Sequence, residues 1–198
     1  MTKVIGITGG IGSGKTTLSK HLKKNGYLVH ESDKLVSSIY KKPSRFFLNF
    51  LKKNVSKEVV QNYKINKKKV ANIVFYRDEI RKKLEGYIHK KVGASRDNFI
   101  KKNRKSNKGV IFVDIPLLLE KNLEKKFDIV VCIISKTKTR KERVLKSKKF
   151  TKQTLNKIFK SQTSDKDRRA RSQIIINNNK TKKDFIFSAE KALIDFLK

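Results

Sequence analysis

Val4-Ile5-Gly6-Ile7-Thr8-Gly9-Gly10-Ile11-Gly12-Ser13-Gly14-Lys15-Thr16 is the stretch on which the reading of this chain turns. It opens on a short apolar run, the pattern of a strand buried on both faces. From Gly9 to Thr16 it fits G-x-x-x-x-G-K-[ST]. Glycines let the chain turn tightly with its N–H groups facing inward, and the helix that follows adds its own N-terminus, so together they form an anion nest. Lys15 suits the β/γ-phosphates of a nucleoside triphosphate, and the Thr16 hydroxyl suits Mg2+. Gly10, Ile11, Gly12, Ser13, Gly14, Lys15 and Thr16 are thus the candidate nucleotide-binding residues. Thr17 continues the helix or touches the α-phosphate.

Outward from the loop, strands and helices alternate. A helix is expected from about 15 to 24, with Leu18 and Leu22 on one face and Gly26 at its end. A short strand at 27–29 leads into Glu31-Ser32-Asp33 and a helix through Tyr40. Residues 43–106 carry no strong strand signal. Apolar residues recur there at helical spacing (Phe46, Phe47 and Phe50, then Ile73, Val74, Leu84 and Ile88), so the segment reads as a helical insertion covering an acceptor site. Val110-Ile111-Phe112-Val113-Asp114 is a buried parallel strand that ends in a carboxylate ahead of Pro116. Ile129–Ile134 is another, followed by a basic helical hairpin over 137–161, the strand Ile174-Ile175-Ile176 and a final amphipathic helix over 182–198. The pattern predicts an α/β fold, a doubly wound parallel sheet of about five strands. The core is expected over about 1–42, 107–136 and 172–198, the helical acceptor-binding insertion over 43–106 and a helical lid over 137–165.

The chain has 198 residues, 51 Lys and Arg against 17 Asp and Glu, and a net charge of +34. That is length enough for one domain with a sizeable core. The basic residues are spread along the chain, with no zinc-ligand, aromatic RNA-binding or heptad signature beside them. They read as a solvated surface that concentrates polyanionic substrates, and no specific nucleic acid is expected. The single cysteine, Cys132, lies in an apolar run and reads as an inert core thiol. No apolar stretch approaches the length of a membrane span, and no signal peptide precedes the first strand, so a cytoplasmic location is expected.

A phosphate-binding loop alone does not separate kinases from GTPases or motors. No N-K-x-D-like tetrapeptide follows Ile129–Ile134, where Ser135-Lys136-Thr137-Lys138 stands instead. A helical insertion plus a late basic hairpin is the layout of a small-molecule P-loop kinase. Ile7-Thr8-Gly9-Gly10-Ile11-Gly12-Ser13-Gly14-Lys15 closely resembles the opening of the dephospho-coenzyme A kinases. Glu31-Ser32-Asp33 sits where that family has D-x-D, and Leu84-Glu85 through Ile88-His89 resembles its L-E-x-I-H-P stretch. Val113-Asp114-Ile115-Pro116-Leu117-Leu118-Leu119-Glu120 is similar to its D-x-P-L-L-x-E segment. Arg143 falls on its lid arginine, Gln162 on its lid-helix glutamine, and Ile175-Ile176-Asn177-Asn178 on its V-I-D-N strand. The chain departs from the pattern at Glu31, at Lys90 in place of a proline, and at Ser147 in place of a second lid arginine. Lys146 and Lys148 flank that serine, but a lysine cannot reproduce an arginine's bidentate fork.

The resemblance implies ATP and Mg2+ as cofactors and transfer of the γ-phosphate to the 3′-hydroxyl of dephospho-CoA. The alternatives are a nucleoside or nucleotide kinase of the same fold, or a basic nucleic-acid-binding P-loop NTPase. From position alone Asp33 reads equally as a helix N-cap; the resemblance makes it the general base. Lys15 and Arg143 are the other candidate catalytic residues. Glu31, Asp33 and His89 are candidates for the acceptor, with His89 otherwise an ordinary surface histidine. Asp114 is a candidate for the magnesium water shell, or else a turn residue before Pro116. Arg140 and Arg143 share a helix face, so either could clamp phosphate; Arg143 is expected to, with Arg140 among the nucleotide-binding residues.

Overall fold

The computed structural model describes residues 1–106, 109–147 and 150–197. Strand β1 (Lys3–Gly9) leads into helix α1 (Lys15–Lys24), and β2 (Leu28–Glu31) passes directly into α2 (Ser32–Lys41). Then come α3 (Arg45–Asn54), a ribbon of β3 (Val60–Gln61) and β4 (Lys64–Ile65), α4 (Lys67–Tyr76) and the long α5 (Asp78–Arg104). The chain continues through β5 (Val110–Asp114), β6 (Ile129–Ile134), α6 (Thr137–Lys146), α7 (Lys152–Ser161), α8 (Asp165–Ala170), β7 (Ile174–Asn177) and α9 (Lys182–Leu193). These elements fall into two compact units, one of residues 1–31 with 99–198 and one of residues 32–98.

The first unit is built on a five-stranded sheet in the order β2-β5-β1-β6-β7, with every pair parallel. Its central strands must be apolar on both faces, and they are. Ile5, Ile7, Phe112, Val131 and Ile133 pack on Leu18, Leu22, Phe185 and Leu193 of α1 and α9. Val4, Ile111, Val113 and Val130 pack the other way, on Leu118, Leu119 and Phe127. This double burial is what the continuous Val/Ile runs encode. Chain order reverses at β1, whose neighbours are β5 on one side and β6 on the other, so the loop after β1 opens at the switch point where ligands bind in such sheets.

The second unit has its own core of Phe47, Leu48, Leu51, Val59, Val70, Leu84 and Ile88. Phe50 and Tyr87 stack beside it, ring centroids 4.5 Å apart. One expectation fails here. The ribbon β3–β4 is antiparallel, in a segment that reads as wholly helical. Its two turn residues, Asn62 and Tyr63, both take positive φ (47° and 59°), as a tight hairpin requires. The usual sequence signal for such a turn is Asn-Gly, and a tyrosine in the second place conceals it. In the first unit, α8 is likewise an element that apolar periodicity did not reveal, because its sequence Asp-Lys-Asp-Arg-Arg-Ala is almost entirely polar.

Candidate active site

The loop between β1 and α1 is made by glycines in conformations closed to other residues. Gly9, Gly12 and Gly14 have φ of 144°, 75° and 114°. Gly14 caps α1 with no side-chain hydrogen bond, so no side chain covers the start of the helix at the loop. Inside it, the Lys15 ammonium donates to the carbonyls of Gly9 (2.6 Å) and Gly10 (3.3 Å). Ser13 is fully buried, Thr16 is exposed, and Thr17 donates its N–H to the Gly14 carbonyl at 2.9 Å.

Residues far along the chain hold this loop from behind. Asn178, just after β7, donates Nδ2 to the Ser13 carbonyl at 2.7 Å. Arg143 donates to the Gly12 carbonyl (3.5 Å), to Ser135 Oγ (3.4 Å), and to both the carbonyl and Oδ1 of Asn178 (3.2 Å each). Its guanidinium is therefore engaged by protein oxygens behind the nest, although it is the arginine expected over the transferring phosphate. Arg140, one turn earlier on α6, sits over Gly10 instead: a Cβ on Gly10 would overlap Arg140 Nη1 and lie 3.1 Å from its Cζ. Arg140 is only 5% exposed, with Cζ 4.8 Å from the Phe159 ring centroid and the nearest carboxylate, Asp165, at 3.7 Å. Burial pushes its pKa below the usual arginine value, with Asp165 working the other way. Its Nε has no hydrogen-bond partner among the described residues. A buried, thinly paired cation against a phosphate loop is a group suited to an arriving anion.

Two carboxylates stand side by side at the C-terminal ends of neighbouring strands, because the β2–β5 register pairs Glu31 with Asp114. Asp114 is buried and accepts from Ser19 Oγ of α1 at 2.8 Å, which orients it. Glu31 forms an ion pair with Lys23 of α1, a contact its longer side chain makes possible and which no sequence pattern announces. In the second unit, Asp33 is exposed in the first turn of α2, and His89 is exposed on α5. Lys146 and Ser147 close α6, with Ser147 Oγ donating to the Val144 carbonyl at 2.6 Å, while Lys148 lies outside the described residues. Thr16 and Asp114 offer the hard oxygen donors that magnesium prefers. Among the described residues there is no compact cluster of three or more His, Cys, Asp or Glu side chains that could hold an ion without a bound substrate.

Sequence reasoning attached no role to Asn178, although its stretch resembles the V-I-D-N strand; the site uses it as a brace. A parallel α/β sheet with a glycine nest at its switch point, a lysine inside the nest and an arginine-bearing helix against it defines a P-loop kinase. A family model described as dephospho-CoA kinase matches residues 3–184. A dephospho-CoA kinase of Fusobacterium nucleatum is 36% identical over 95% of both chains, and one of Bartonella quintana is 32% identical over 90% of both. Among solved structures, a Thermus thermophilus protein superposes with a TM-score of 0.80 at 25% identity, covering 100% of this chain and 98% of that one. The dephospho-CoA kinase of Campylobacter jejuni gives 0.74 at 23% identity, over 98% and 97%, a likeness of fold. This chain belongs to the dephospho-CoA kinase family. No helix among the described residues is long and apolar enough to cross a membrane.

Proposed function

We propose that this protein transfers the γ-phosphate of ATP to the 3′-hydroxyl of dephospho-CoA, releasing CoA and ADP in the cytoplasm. The observation that carries the reading is the glycine nest at the switch point of the sheet, in a chain whose family membership spans nearly its whole length.

In this reading the loop from Gly10 to Thr17 receives the phosphates, with the N–H groups of Ile11, Ser13 and Thr17 staying on Gln162, Gly10 and Gly14, and Lys15 moves from the Gly9 and Gly10 carbonyls to the β/γ-phosphates. The Thr16 hydroxyl and Asp114, through water, would hold Mg2+, which supplies charge neutralisation at the transferring phosphate. Arg140 takes up the negative charge that develops there, and Arg143 serves by keeping the loop in shape. The helical insertion over 43–106 binds the acceptor, with His89 touching it, and Glu31 and Asp33 are further acceptor contacts. Asp33 accepts the proton of the ribose hydroxyl as the oxygen attacks phosphorus.

The test is acceptor-dependent ADP release over a panel of dephospho-CoA, nucleosides and nucleotides, together with Asp33→Asn. Only dephospho-CoA should support turnover. Asp33→Asn should lower it by roughly 10²–10⁴-fold with ATP affinity little changed. Turnover of a nucleoside at a similar rate, or hydrolysis stimulated by nucleic acid, would replace this reading with one of its rivals. A mutant keeping more than about half its activity would leave Asp33 as a helix start.

A further inference from the structure

The lid touches the loop at a second point, and the contact is a specific hydrogen bond. Gln162 is the residue at which α7 ends; its backbone turns extended (φ −89°, ψ 147°), so the chain leaves the helix there. Its Oε1 accepts the backbone N–H of Ile11 at 3.0 Å, across 151 residues of sequence. The next residue, Thr163, donates its own N–H to Glu120 Oε1 at 2.9 Å. Glu120 in turn faces the buried Arg168 at 3.5 Å, and Arg168 pairs with Asp165 at 2.8 Å. The end of α7 is thus fastened to the core, and the fastening aims one side chain at the loop.

We propose that Gln162 is a positioning residue: it latches the lid onto Ile11 of the phosphate loop, which holds the nest in shape and closes it to water. The proposal rests on the kinase reading. Three observations support it besides the bond itself. The acceptor is neutral, so it satisfies a loop N–H without bringing negative charge to the place where phosphates bind, as a carboxylate would. Gly10, beside Ile11, lies directly under both lid side chains: a Cβ there would overlap Arg140 Nη1 and lie 3.2 Å from Gln162 Oε1, so they would have to shift. Gly10 is not among the positive-φ glycines, so what a side chain there would disturb is the contact with Arg140 and Gln162. Lastly, the latch explains Glu120: a carboxylate in the turn after β5 acts on the nest through Thr163 and Gln162.

The experiment measures two quantities in wild type, Gln162→Met and Gln162→Glu. One is hydrogen exchange at the Ile11 amide in the nucleotide-free protein, which does not depend on what the acceptor is. The other is the ratio of ATP hydrolysed without acceptor to phosphate transferred with it. Methionine keeps the length and removes the acceptor. In Gln162→Met the Ile11 amide should exchange roughly 2- to 12-fold faster, and the hydrolysis-to-transfer ratio should rise by a similar factor, the span of one neutral hydrogen bond. The melting temperature should fall by only about 1–6 °C, the span of one neutral hydrogen bond in a domain of this size. Gln162→Glu keeps an acceptor oxygen at the same reach, so Ile11 should stay protected while KM for ATP rises from the added charge. Unchanged exchange at Ile11 or an unchanged ratio in Gln162→Met overturns the proposal. So does equal loss of protection in both variants, which would mean general loosening of the lid. If no acceptor is phosphorylated at all while Ile11 exchange behaves as stated, the kinase reading fails and the latch stands.

Discussion

Truncating Asn178 to alanine tests how far the catalytic loop depends on a brace from the other end of the chain. Asn178 is 5% exposed and links three elements. Its Nδ2 donates to the carbonyl of the fully buried Ser13 at 2.7 Å, and its Oδ1 accepts from Arg143 at 3.2 Å. Its backbone N–H and carbonyl, bonded to Ile134 (2.8 Å) and Arg143 (3.2 Å), survive the substitution. The loss is therefore one neutral bond, about 0.5–1.5 kcal/mol, and one charge-assisted bond, about 1.5–3 kcal/mol. Together they make roughly 2–4.5 kcal/mol, which in a domain of this size lowers Tm by about 4–18 °C. Calorimetry without nucleotide measures that shift, and KM for ATP should rise in parallel, since the Ser13 carbonyl sits in the middle of the nest. The pair Gly14→Ala and Asn178→Ala sharpens the test. A Cβ on Gly14 would overlap Asn178 Nδ2, but Gly14 also holds φ at 114°. Removing Asn178 relieves the clash and not the backbone strain, so the double mutant should remain impaired. A Tm within about 1 °C of wild type, well inside the loss of even one such bond, with an unaltered KM, would refute the brace.

Two further outcomes follow from neighbouring groups. Arg140→Ala should lower kcat by roughly 10²-fold or more, as loss of a charge-stabilising donor does, while Arg143→Ala, which strips donors from four protein oxygens, should lower Tm more than Arg140→Ala does. The reverse order in kcat and melting would return the clamp to Arg143. Burial raises the Cys132 thiol from 9.0 to about 11, with the charges of Arg168 and Lys15 working against the shift. Because the folded value is the higher one, this stabilisation is whole below pH 9.0 and is lost as pH rises toward about 11. The native thiol should therefore resist a disulfide reagent near neutral pH and react once the chain is unfolded; prompt labelling of the native protein would contradict it.

What the amino-acid sequence determined by itself is what depends on neighbours along the chain. The glycine pattern and the apolar run before it define strand, loop and helix, because each is set by backbone geometry and periodicity over a few residues. The same holds for α1, found at Lys15–Lys24 as its periodicity required, and for the continuous apolar strands that only a doubly covered sheet can bury. The ribbon at Val60–Ile65 escaped because Asn62-Tyr63 adopts a turn that tyrosine seldom makes. Tertiary structure alone decided which distant groups meet the loop. Asn178 reaches Ser13 across 165 positions, Arg143 reaches Gly12 across 131 and Gln162 reaches Ile11 across 151. Arg140 and Arg143 share one helix face, so spacing cannot say which of them turns to the brace and which to Gly10. That choice comes from the order β2-β5-β1-β6-β7, which sets the end of β7 beside α6 and brings Asn178 and Arg143 together at the loop.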